Sequence, residues 1–185
     1  MLKELSPYAV ILATGGAPVR PQSIEGINGE NVVTAPEILL GEKEIKNSRV
    51  AVIGSGLTGL ETTEKLNELG NRVTVIEMAD EIAGAAWFQF VDDSLSRIRP
   101  YGTEFLLGTK LLSVDSDGVT VESKKGGKTK LTADMVVLSM GVRPNNALAK
   151  ELEGTGIKCV AVGDADKGGT IGHAVSDAFN KTVTL

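Results

Sequence analysis

A run of β-branched residues that ends in three closely spaced glycines limits the possible folds of this chain more than any other feature. Residues 50–53 (Val-Ala-Val-Ile) are typical of a strand buried on both faces of a parallel sheet. A helix is predicted over 57–69, and a second strand over 73–76 ends at Glu77. The glycines after the first strand follow the spacing G-x-G-x-x-G: Gly54, Gly56 and Gly59. Strand, glycine turn, helix and strand in this order predict a βαβ unit.

Each glycine has a physical role in a turn that binds phosphate groups. Gly54 permits the tight bend, Gly56 lets backbone N–H groups approach a pyrophosphate, and Gly59 lets the helix pack closely on the strand. The amino terminus of the helix then points unpaired N–H groups and its positive dipole end at the phosphates. Glu77 follows where a carboxylate accepts hydrogen bonds from both hydroxyls of an adenosine ribose. The pattern indicates a dinucleotide site; the alternative is a glycine turn without a ligand.

Composition places the chain among α/β proteins and excludes several other classes. Its 185 residues are 42% hydrophobic and only 4% aromatic, and 22 glycines fit a fold with many βα turns. A net charge of −5 gives no support for nucleic-acid binding, and no apolar run approaches the roughly 18 residues needed to cross a membrane. The single cysteine, Cys159, excludes an internal disulfide, and we expect a cytoplasmic location.

Residues 49–146 are predicted to form one compact unit that combines a parallel sheet with an antiparallel meander. A third parallel strand is predicted at 104–107 and a fourth at 134–141. Turn residues separate three antiparallel strands between them: 111–114, 119–123 and 129–131. A helix over 86–99 places four apolar residues on one face, which we interpret as core: Trp87, Val91, Leu95 and Ile98. The predicted fold class is α/β, a Rossmann-like three-layer domain.

Further short elements are predicted on either side of this unit. The apolar runs 8–14 and 157–162 are too short for helices and end at turn residues, so each is predicted to be a buried strand. The stretch that begins at Pro18 is interpreted as irregular, apart from a short helix that starts near Thr34. Two more helices are predicted in the last third of the chain, at 145–153 and 170–183.

Taken together, these landmarks resemble the two-dinucleotide flavoproteins of the pyridine nucleotide–disulfide oxidoreductase superfamily. Four segments carry the resemblance: Val10–Gly15, Gly54–Glu61, Gly141–Asn145 and Val162–Ala165. The resemblance implies that residues 49–146 are a domain that binds NAD(H). It also implies that residues 1–48 and 147–185 belong to a FAD-binding domain, of which this chain contains an incomplete remnant.

The same resemblance implies contacts with the flavin cofactor at four residues: Thr14, Gly15, Gly163 and Asp164, the last matching the acid that binds the ribityl chain. A narrower resemblance is to the Old Yellow Enzyme-type NADH:flavin oxidoreductases, the 2,4-dienoyl-CoA and 2-enoate reductase group. The short link between Asn145 and Gly163 and the segment 77–83 carry it. Those enzymes join a barrel with FMN and an iron–sulfur cluster to the FAD/NAD module. This sequence lacks the barrel and the first FAD fingerprint, so we expect it to be a fragment.

Single residues refine the predicted site. Glu77 would accept the 2′-hydroxyl and repel a 2′-phosphate, which favours NADH over NADPH. Glu61 either contacts the nicotinamide and flavin, as the resemblance implies, or is only favourably placed near a helix amino terminus. Cys159 and His173 are interpreted as structural, and no metal site and no obligatory acid or base is predicted. The predicted cofactor contacts outside the flavin group are Gly54, Ser55, Gly56, Leu57, Thr58, Gly59, Glu61, Glu77, Met78 and Gly141.

The leading functional hypothesis is an NAD(H)-binding domain that positions NADH for hydride transfer to a flavin and is inactive by itself. The alternative is a non-catalytic module that holds ADP or NAD. The implied partners are NADH and the flavin domain and catalytic barrel of a parent protein. The predicted strands 8–14 and 157–162 lack neighbours, so they must pair with each other, order poorly or be covered by another chain. We expect residues 1–20 and 157–185 to be mobile or held in a homodimer contact.

Overall fold

The computed structural model describes residues 2–183 and 185, whose contacts divide the chain into two compact units. We call Val19–Met140 the central unit, and Met1–Pro18 together with Gly141–Leu185 the flanking unit. The sequence predicts boundaries after residues 48 and 146, whereas the contacts place them after residues 18 and 140.

The helices and strands follow one another in the order expected of an α/β protein. The strands are β1 (Ala9–Leu12), β2 (Gly16–Pro18), β3 (Val32–Thr34), β4 (Arg49–Ile53), β5 (Arg72–Ile76), β6 (Glu104–Leu106), β7 (Thr109–Asp115), β8 (Gly118–Ser123), β9 (Lys128–Thr132), β10 (Met135–Leu138), β11 (Val142–Pro144) and β12 (Lys158–Ala161). The helices are α1 (Leu2–Leu5), α2 (Ala35–Leu39), α3 (Leu57–Glu68), α4 (Phe88–Ile98), α5 (Ala147–Leu152) and α6 (Ile171–Thr182). Short 3₁₀ turns occupy Arg99–Tyr101 and Gly163–Ala165. Within the described part of the chain, no helix has the length and apolar character that crossing a membrane requires.

A five-stranded parallel sheet in the order β3-β10-β4-β5-β6 forms the middle of the central unit. Its central strand β4 is buried on both faces as predicted, because residues 50–53 are all 4% exposed or less. The edge strand β3 corrects the interpretation of this region as irregular. It has only three residues, too few to show a period, yet all three are buried and pair with β10. This strand is one reason why the central unit begins before residue 49.

Alternate residues of β4 face two different cores, which lie on opposite sides of the sheet. Val50 and Val52 pack in a cluster with side chains of α2 and α3. Ala51 and Ile53 pack in a second cluster with the antiparallel sheet β7-β8-β9. The central unit therefore has three layers: helices, parallel sheet and antiparallel meander. This arrangement confirms the predicted Rossmann-like fold class.

Helix α4 confirms three of the four predicted core positions. Ile98 is fully buried, and Val91 and Leu95 pack partly buried against the same cluster. Trp87 was expected beside them, but it is 74% exposed. The helix begins at Phe88 and Trp87 is its N-cap residue, so the helical spacing does not extend to it. The prediction of Trp87 as core is therefore wrong.

In the flanking unit, the two predicted strands pair with each other. β1 and β12 run parallel, from Ala9 opposite Lys158 to Leu12 opposite Ala161. A second, antiparallel pair joins β2 to β11, which explains why the unit resumes at residue 141. Helix α6 leaves three apolar side chains exposed at a spacing of four residues: Ile171 (85%), Val175 (64%) and Phe179 (65%). We call these three residues the α6 stripe.

Candidate nucleotide-binding site

Close contacts at two glycines bring together the end of β4, the start of α3 and the chain after β10. Gly54 has a φ of +103°, and a Cβ added there would lie 2.2 Å from the carbonyl oxygen of Ser139. A Cβ added at Gly59 would lie 2.2 Å from the carbonyl oxygen of Gly54. Both distances are far below van der Waals contact, so neither position accommodates a side chain. Glycine at both positions lets α3 begin directly against the strand ends.

Gly56 differs from these two glycines because it faces open space. It is the N-cap residue of α3, it is exposed, and a Cβ added there would meet no atom within 4 Å. The next two residues, Leu57 and Thr58, are exposed as well. The first N–H groups of a helix have no acceptor within the helix, and the dipole adds positive charge at this end. The exposed start of α3 can therefore receive an anionic group such as a phosphate.

Glu77 extends from the end of β5 to the glycine turn. Its Oε2 accepts hydrogen bonds from the backbone N–H and the hydroxyl of Ser55, at 2.7 and 2.8 Å. Its Oε1 accepts one from the backbone N–H of Ala79 at 2.8 Å. Burial raises the pKa of the Glu77 carboxyl, but the hydrogen bonds from Ala79 and Ser55 outweigh burial and lower the pKa overall. The carboxylate is therefore charged at neutral pH and ties β5 to the turn.

A cavity of about 340 Å³ lies within the central unit, at the carboxyl ends of β4, β5 and β10. Ligands of open α/β sheets bind at this edge. Four of the predicted cofactor contacts line the cavity: Gly54, Gly56, Glu77 and Met78. The structure thus brings the glycine turn and the acid of β5 to one cavity, which is the arrangement that a dinucleotide requires.

Sequence reasoning missed the part of the lining that comes from the meander and from the end of β10. These residues are Thr109, Lys110, Leu111, Ser139 and Met140. The backbone N–H of Thr109 donates to the carbonyl oxygen of Glu77 at 2.8 Å, which brings β7 to the cavity. The side chain of Lys110 is exposed and adds a positive charge to this wall. No local pattern could have shown this, because the pairing joins residues far apart in sequence.

The other predicted contacts of the nicotinamide cofactor are placed differently. Ser55 is fully buried, so its side chain is not available to a ligand. Glu61 is exposed on α3 just beyond the first turn, which contains no acidic residue. Gly141 is exposed in the flanking unit with a φ of +82°. None of these three residues lines the cavity of the central unit.

A second cavity of about 420 Å³ lies within the flanking unit. Three of the predicted flavin contacts line it, together with the start of α6: Gly15, Gly163 and Asp164. The Oδ1 atom of Asp164 accepts a hydrogen bond from the N–H of Gly169 at 3.1 Å. Thr14 is not part of the lining, and its hydroxyl donates to the carbonyl oxygen of Asn145. The turn at Gly163 and Asp164 thus borders the same cavity as the amino terminus of α6, whereas the glycine turn of the central unit leads directly into α3.

Two charged residues of α6 hold this turn, and sequence reasoning missed both. Asp177 accepts a hydrogen bond from the N–H of Gly163 at 2.9 Å. This bond and the one from Lys181 lower the pKa of the Asp177 carboxyl. The ammonium of Lys181 also donates to the carbonyl oxygen of Ala161 at 3.1 Å and to Asp166 at 2.7 Å. The i,i+4 spacing of Asp177 and Lys181 is the signal that could have found the pair.

The remaining residues considered from the sequence are His173 and Cys159. The backbone N–H of His173 donates to the Thr170 hydroxyl at 3.2 Å, and the side chain is exposed. Cys159 is half-buried in β12. Across the described residues, no three His, Cys, Asp or Glu side chains are grouped so that they could hold a metal ion.

Comparison with known proteins finds close relatives in larger flavoproteins. Bilirubin reductase of Mediterraneibacter gnavus is 35% identical over 180 residues, which cover 97% of this chain and 28% of that protein. NADH oxidase of Thermoanaerobacter brockii is 38% identical over 182 residues, which cover 96% of this chain and 28% of that protein. The chain therefore spans about 28% of the length of these relatives.

A solved structure of 2-naphthoyl-CoA reductase in complex with 2-naphthoyl-CoA has the same fold over 100% of this chain and 28% of its own. Its TM-score is 0.87 and its sequence identity is 27%. This relative confirms the narrower resemblance to the Old Yellow Enzyme-type group. The family model for pyridine nucleotide-disulphide oxidoreductases matches residues 3–179. Proteins of that family use NAD(H) and FAD. The match shows that the chain belongs to the pyridine nucleotide-disulphide oxidoreductase family.

Proposed function

We propose that this chain is the NAD(H)-binding part of a longer NADH:flavin oxidoreductase, in which it positions NADH for hydride transfer to a flavin. One observation carries the proposal: the open amino terminus of α3 at Gly56 and the charged carboxylate of Glu77 line the same cavity. The first suits a pyrophosphate and the second an adenosine ribose. The relatives support an oxidoreductase, since they include an NADH oxidase and a bilirubin reductase.

The residues of the central unit act by binding and orientation. The N–H groups at the start of α3 would hold the pyrophosphate, and the close contacts at Gly54 and Gly59 keep that helix against the sheet. Glu77 would accept a hydrogen bond from the ribose and oppose a 2′-phosphate. A bound nicotinamide supplies the hydride, so the protein contributes position and a fixed electrostatic environment.

We further propose that residues 49–146 form the NAD domain, and that residues 1–48 and 147–185 derive from a FAD-binding domain. Residues 19–48 then pack on the NAD domain, since they belong to the central unit. The cavity beside Gly163 and Asp164 supports a role of the flanking unit in holding FAD in the longer protein. The expected partners are then the flavin domain and catalytic barrel of that protein, and the expected location is the cytoplasm. The isolated chain should bind nucleotide without turnover, and FAD should not copurify at full occupancy. A stoichiometric flavin spectrum in the purified chain would contradict this assignment.

The exposed α6 stripe supports a covering partner for the flanking unit, either the rest of the longer protein or a second copy of this chain. Hydrogen exchange on a dilute sample, shown to be monomeric, tests this. We expect fast exchange over residues 1–20 and 157–185 and slow exchange over 49–146. Slow, uniform protection in the monomer would show that the flanking unit needs no partner.

Isothermal titration calorimetry of the isolated chain with NADH and NADPH tests the assignment of the central cavity. NADH should bind more tightly, because Glu77 faces the additional phosphate of NADPH. Glu77→Ala should narrow the difference, whereas Glu68→Ala, in the last turn of α3, should leave it unchanged. Equal affinities for the wild-type chain, or tighter binding of NADPH, would contradict the proposal. Reduction kinetics of the full-length parent then separate a catalytic site from a module that only holds nucleotide.

A further inference from the structure

Ser55 lies inside the glycine turn, yet it is fully buried. Its hydroxyl donates to Oε2 of Glu77 at 2.8 Å, and its backbone N–H donates to the same oxygen at 2.7 Å. A residue this deep does not touch a ligand with its side chain. Its contribution to the site must act through the groups to which its hydroxyl is bonded.

The first of these groups is the carboxylate of Glu77. The carboxylate accepts hydrogen bonds from the N–H and hydroxyl of Ser55 and from the N–H of Ala79. Two donors on one oxygen and one on the other fix both the position and the rotation of the carboxylate plane. Because Glu77 lines the cavity, these bonds hold its charge at a defined place in the cavity wall.

The second group is the backbone of the loop between β5 and α4. The N–H of Ala83 points to the Ser55 hydroxyl at 3.4 Å. Ala83 is buried and has a φ of +46°, a conformation that non-glycine residues rarely adopt without support from their surroundings. The same loop carries Met78, which lines the cavity. One buried hydroxyl therefore joins the glycine turn, the acid of β5 and the following loop.

We infer that Ser55 is a positioning residue that sets the preference of the site for the cofactor without a 2′-phosphate. Its hydroxyl holds the Glu77 carboxylate where a 2′-phosphate would have to lie. Without the hydroxyl, the backbone N–H groups of Ser55 and Ala79 still hold the carboxylate, but its position is less well fixed. Both advantages then weaken: the hydrogen bond to a 2′-hydroxyl and the repulsion of a 2′-phosphate. This inference rests on the proposed function, because it concerns the same cavity.

A double-mutant cycle measured by calorimetry with NADH and NADPH tests the inference on the whole chain. Ser55→Ala should weaken NADH binding about tenfold and reduce the NADH:NADPH affinity ratio, since the hydroxyl bond to the charged carboxylate is lost while the backbone N–H bond remains. In the Glu77→Ala background, the same change should leave the ratio as it is. Ser94→Ala, at a buried serine of α4 outside the cavity lining, is the matched control and should change neither affinity.

Two results would overturn the inference: an equal loss of affinity for both cofactors in Ser55→Ala, or a further change of the ratio when Glu77 is already alanine. If Ser55→Ala does not fold, Ser55→Cys replaces it in the same cycle, because its thiol is a weaker donor than the hydroxyl. The same two results then count against the inference. Wild-type chain that binds neither cofactor would instead contradict the proposed function. If the wild-type chain prefers NADH and Ser55→Ala keeps the same preference, the inference fails while the proposed function stands.

Discussion

The central and flanking units each contain a glycine turn beside a cavity, but they differ in how they cover their apolar surfaces. In each unit, a glycine turn and a helix amino terminus border one cavity. Gly56 is the N-cap residue of α3 in the central unit, and Gly163 borders the same cavity as the start of α6 in the flanking unit. The central unit covers both faces of its five-stranded parallel sheet, with helices on one side and the meander on the other. Among its described residues, the flanking unit forms two two-stranded pairs and leaves the α6 stripe exposed.

This difference shows that a binding turn and a stable domain are separate requirements. The turn needs only a few residues of strand and the start of a helix, whereas a domain needs enough layers to bury its apolar faces. The flanking unit contains such a turn at Gly163, whereas its α6 stripe stays exposed among the described residues. Four measurements test this difference between the two units.

The largest expected difference is in the cost of shortening an apolar side chain. Leu60→Ala, at a fully buried position of α3, should lower the free energy of unfolding by about 2–5 kcal/mol through loss of burial and the cavity left behind. Val175→Ala in the α6 stripe should change it by less than about 0.5 kcal/mol, because that side chain is 64% exposed. Chemical denaturation measures both. Similar costs would mean that the α6 stripe is covered in solution.

A smaller effect separates packing from binding within the glycine turn. Gly59→Ala places a Cβ 2.2 Å from the Gly54 carbonyl oxygen and should lower stability by about 1–3 kcal/mol. Gly56→Ala meets no atom within 4 Å and has an ordinary φ of −61°, so it should leave stability nearly unchanged. It should nevertheless weaken NADH binding, because the added Cβ would lie on the exposed side of the turn where we propose that the pyrophosphate binds. The pair is measured by denaturation and calorimetry, and a stable Gly59→Ala variant would contradict the packing argument.

The free energy of unfolding of each unit should depend on pH through one carboxylate. Hydrogen bonds from the Arg49 side chain and backbone lower the pKa of Asp134 to about 2 from its ordinary value of 3.8. A lowered folded-state pKa gives stability that is fully present above 3.8 and is lost as the pH falls through about 2. Asp134→Asn should therefore destabilise the central unit at neutral pH and cost progressively less in acid.

The matched variant in the flanking unit is Asp177→Asn, since the pKa of Asp177 is lowered by the Gly163 N–H and Lys181. Asp177→Asn should destabilise only the flanking unit at neutral pH, and this cost should also become smaller in acid. Denaturation followed by hydrogen exchange assigns each loss to a unit. A pH-independent cost for either variant would show that its carboxyl group titrates alike in the folded and unfolded chain.

The smallest expected effect concerns the exposed cation beside the central cavity. Lys110→Ala should weaken NADH binding by at most about fivefold, because charge interactions at an exposed position contribute about 0.2–1 kcal/mol. Lys128→Ala, on the exposed strand β9, and Lys181→Ala, in the flanking unit, should leave the affinity unchanged. Calorimetry at two salt concentrations is the measurement, and an unchanged affinity in Lys110→Ala would show that this charge does not reach the ligand.

Local sequence patterns predict those parts of the fold in which a short run of residues specifies its own conformation. The apolar run 50–53, the glycines that follow it and the turn residues of the meander each specify a strand, a bend or a hairpin by themselves. The strand at Val32–Thr34 could not be predicted in this way, because its three residues are strand only through pairing with β10. Helical spacing predicts Trp87 in the core, but α4 begins one residue later and leaves Trp87 exposed.

The candidate site shows the same limit. The sequence predicts that Gly56 and Glu77 belong to one site, since their spacing is a property of the βαβ unit. It does not show that the carboxylate of Glu77 is held by Ser55, or that Lys110 lines the same cavity, because both depend on how distant segments pack. Contacts that hold a site residue in place arise from the packing of separate segments, so a local sequence pattern does not predict them.

The antiparallel pair β2–β11 has a consequence for the order in which the chain assembles. The chain leaves the flanking unit at Pro18, which lies opposite Val142 in this pair, so the whole central unit is a long loop of the flanking unit. Closing a flexible loop costs entropy that grows with the logarithm of its length. Once the central unit has folded, most of that flexible length is gone, and β1 can find β12 at a lower entropic cost. The connectivity therefore favours folding from the middle of the chain outward, with the two ends joining last.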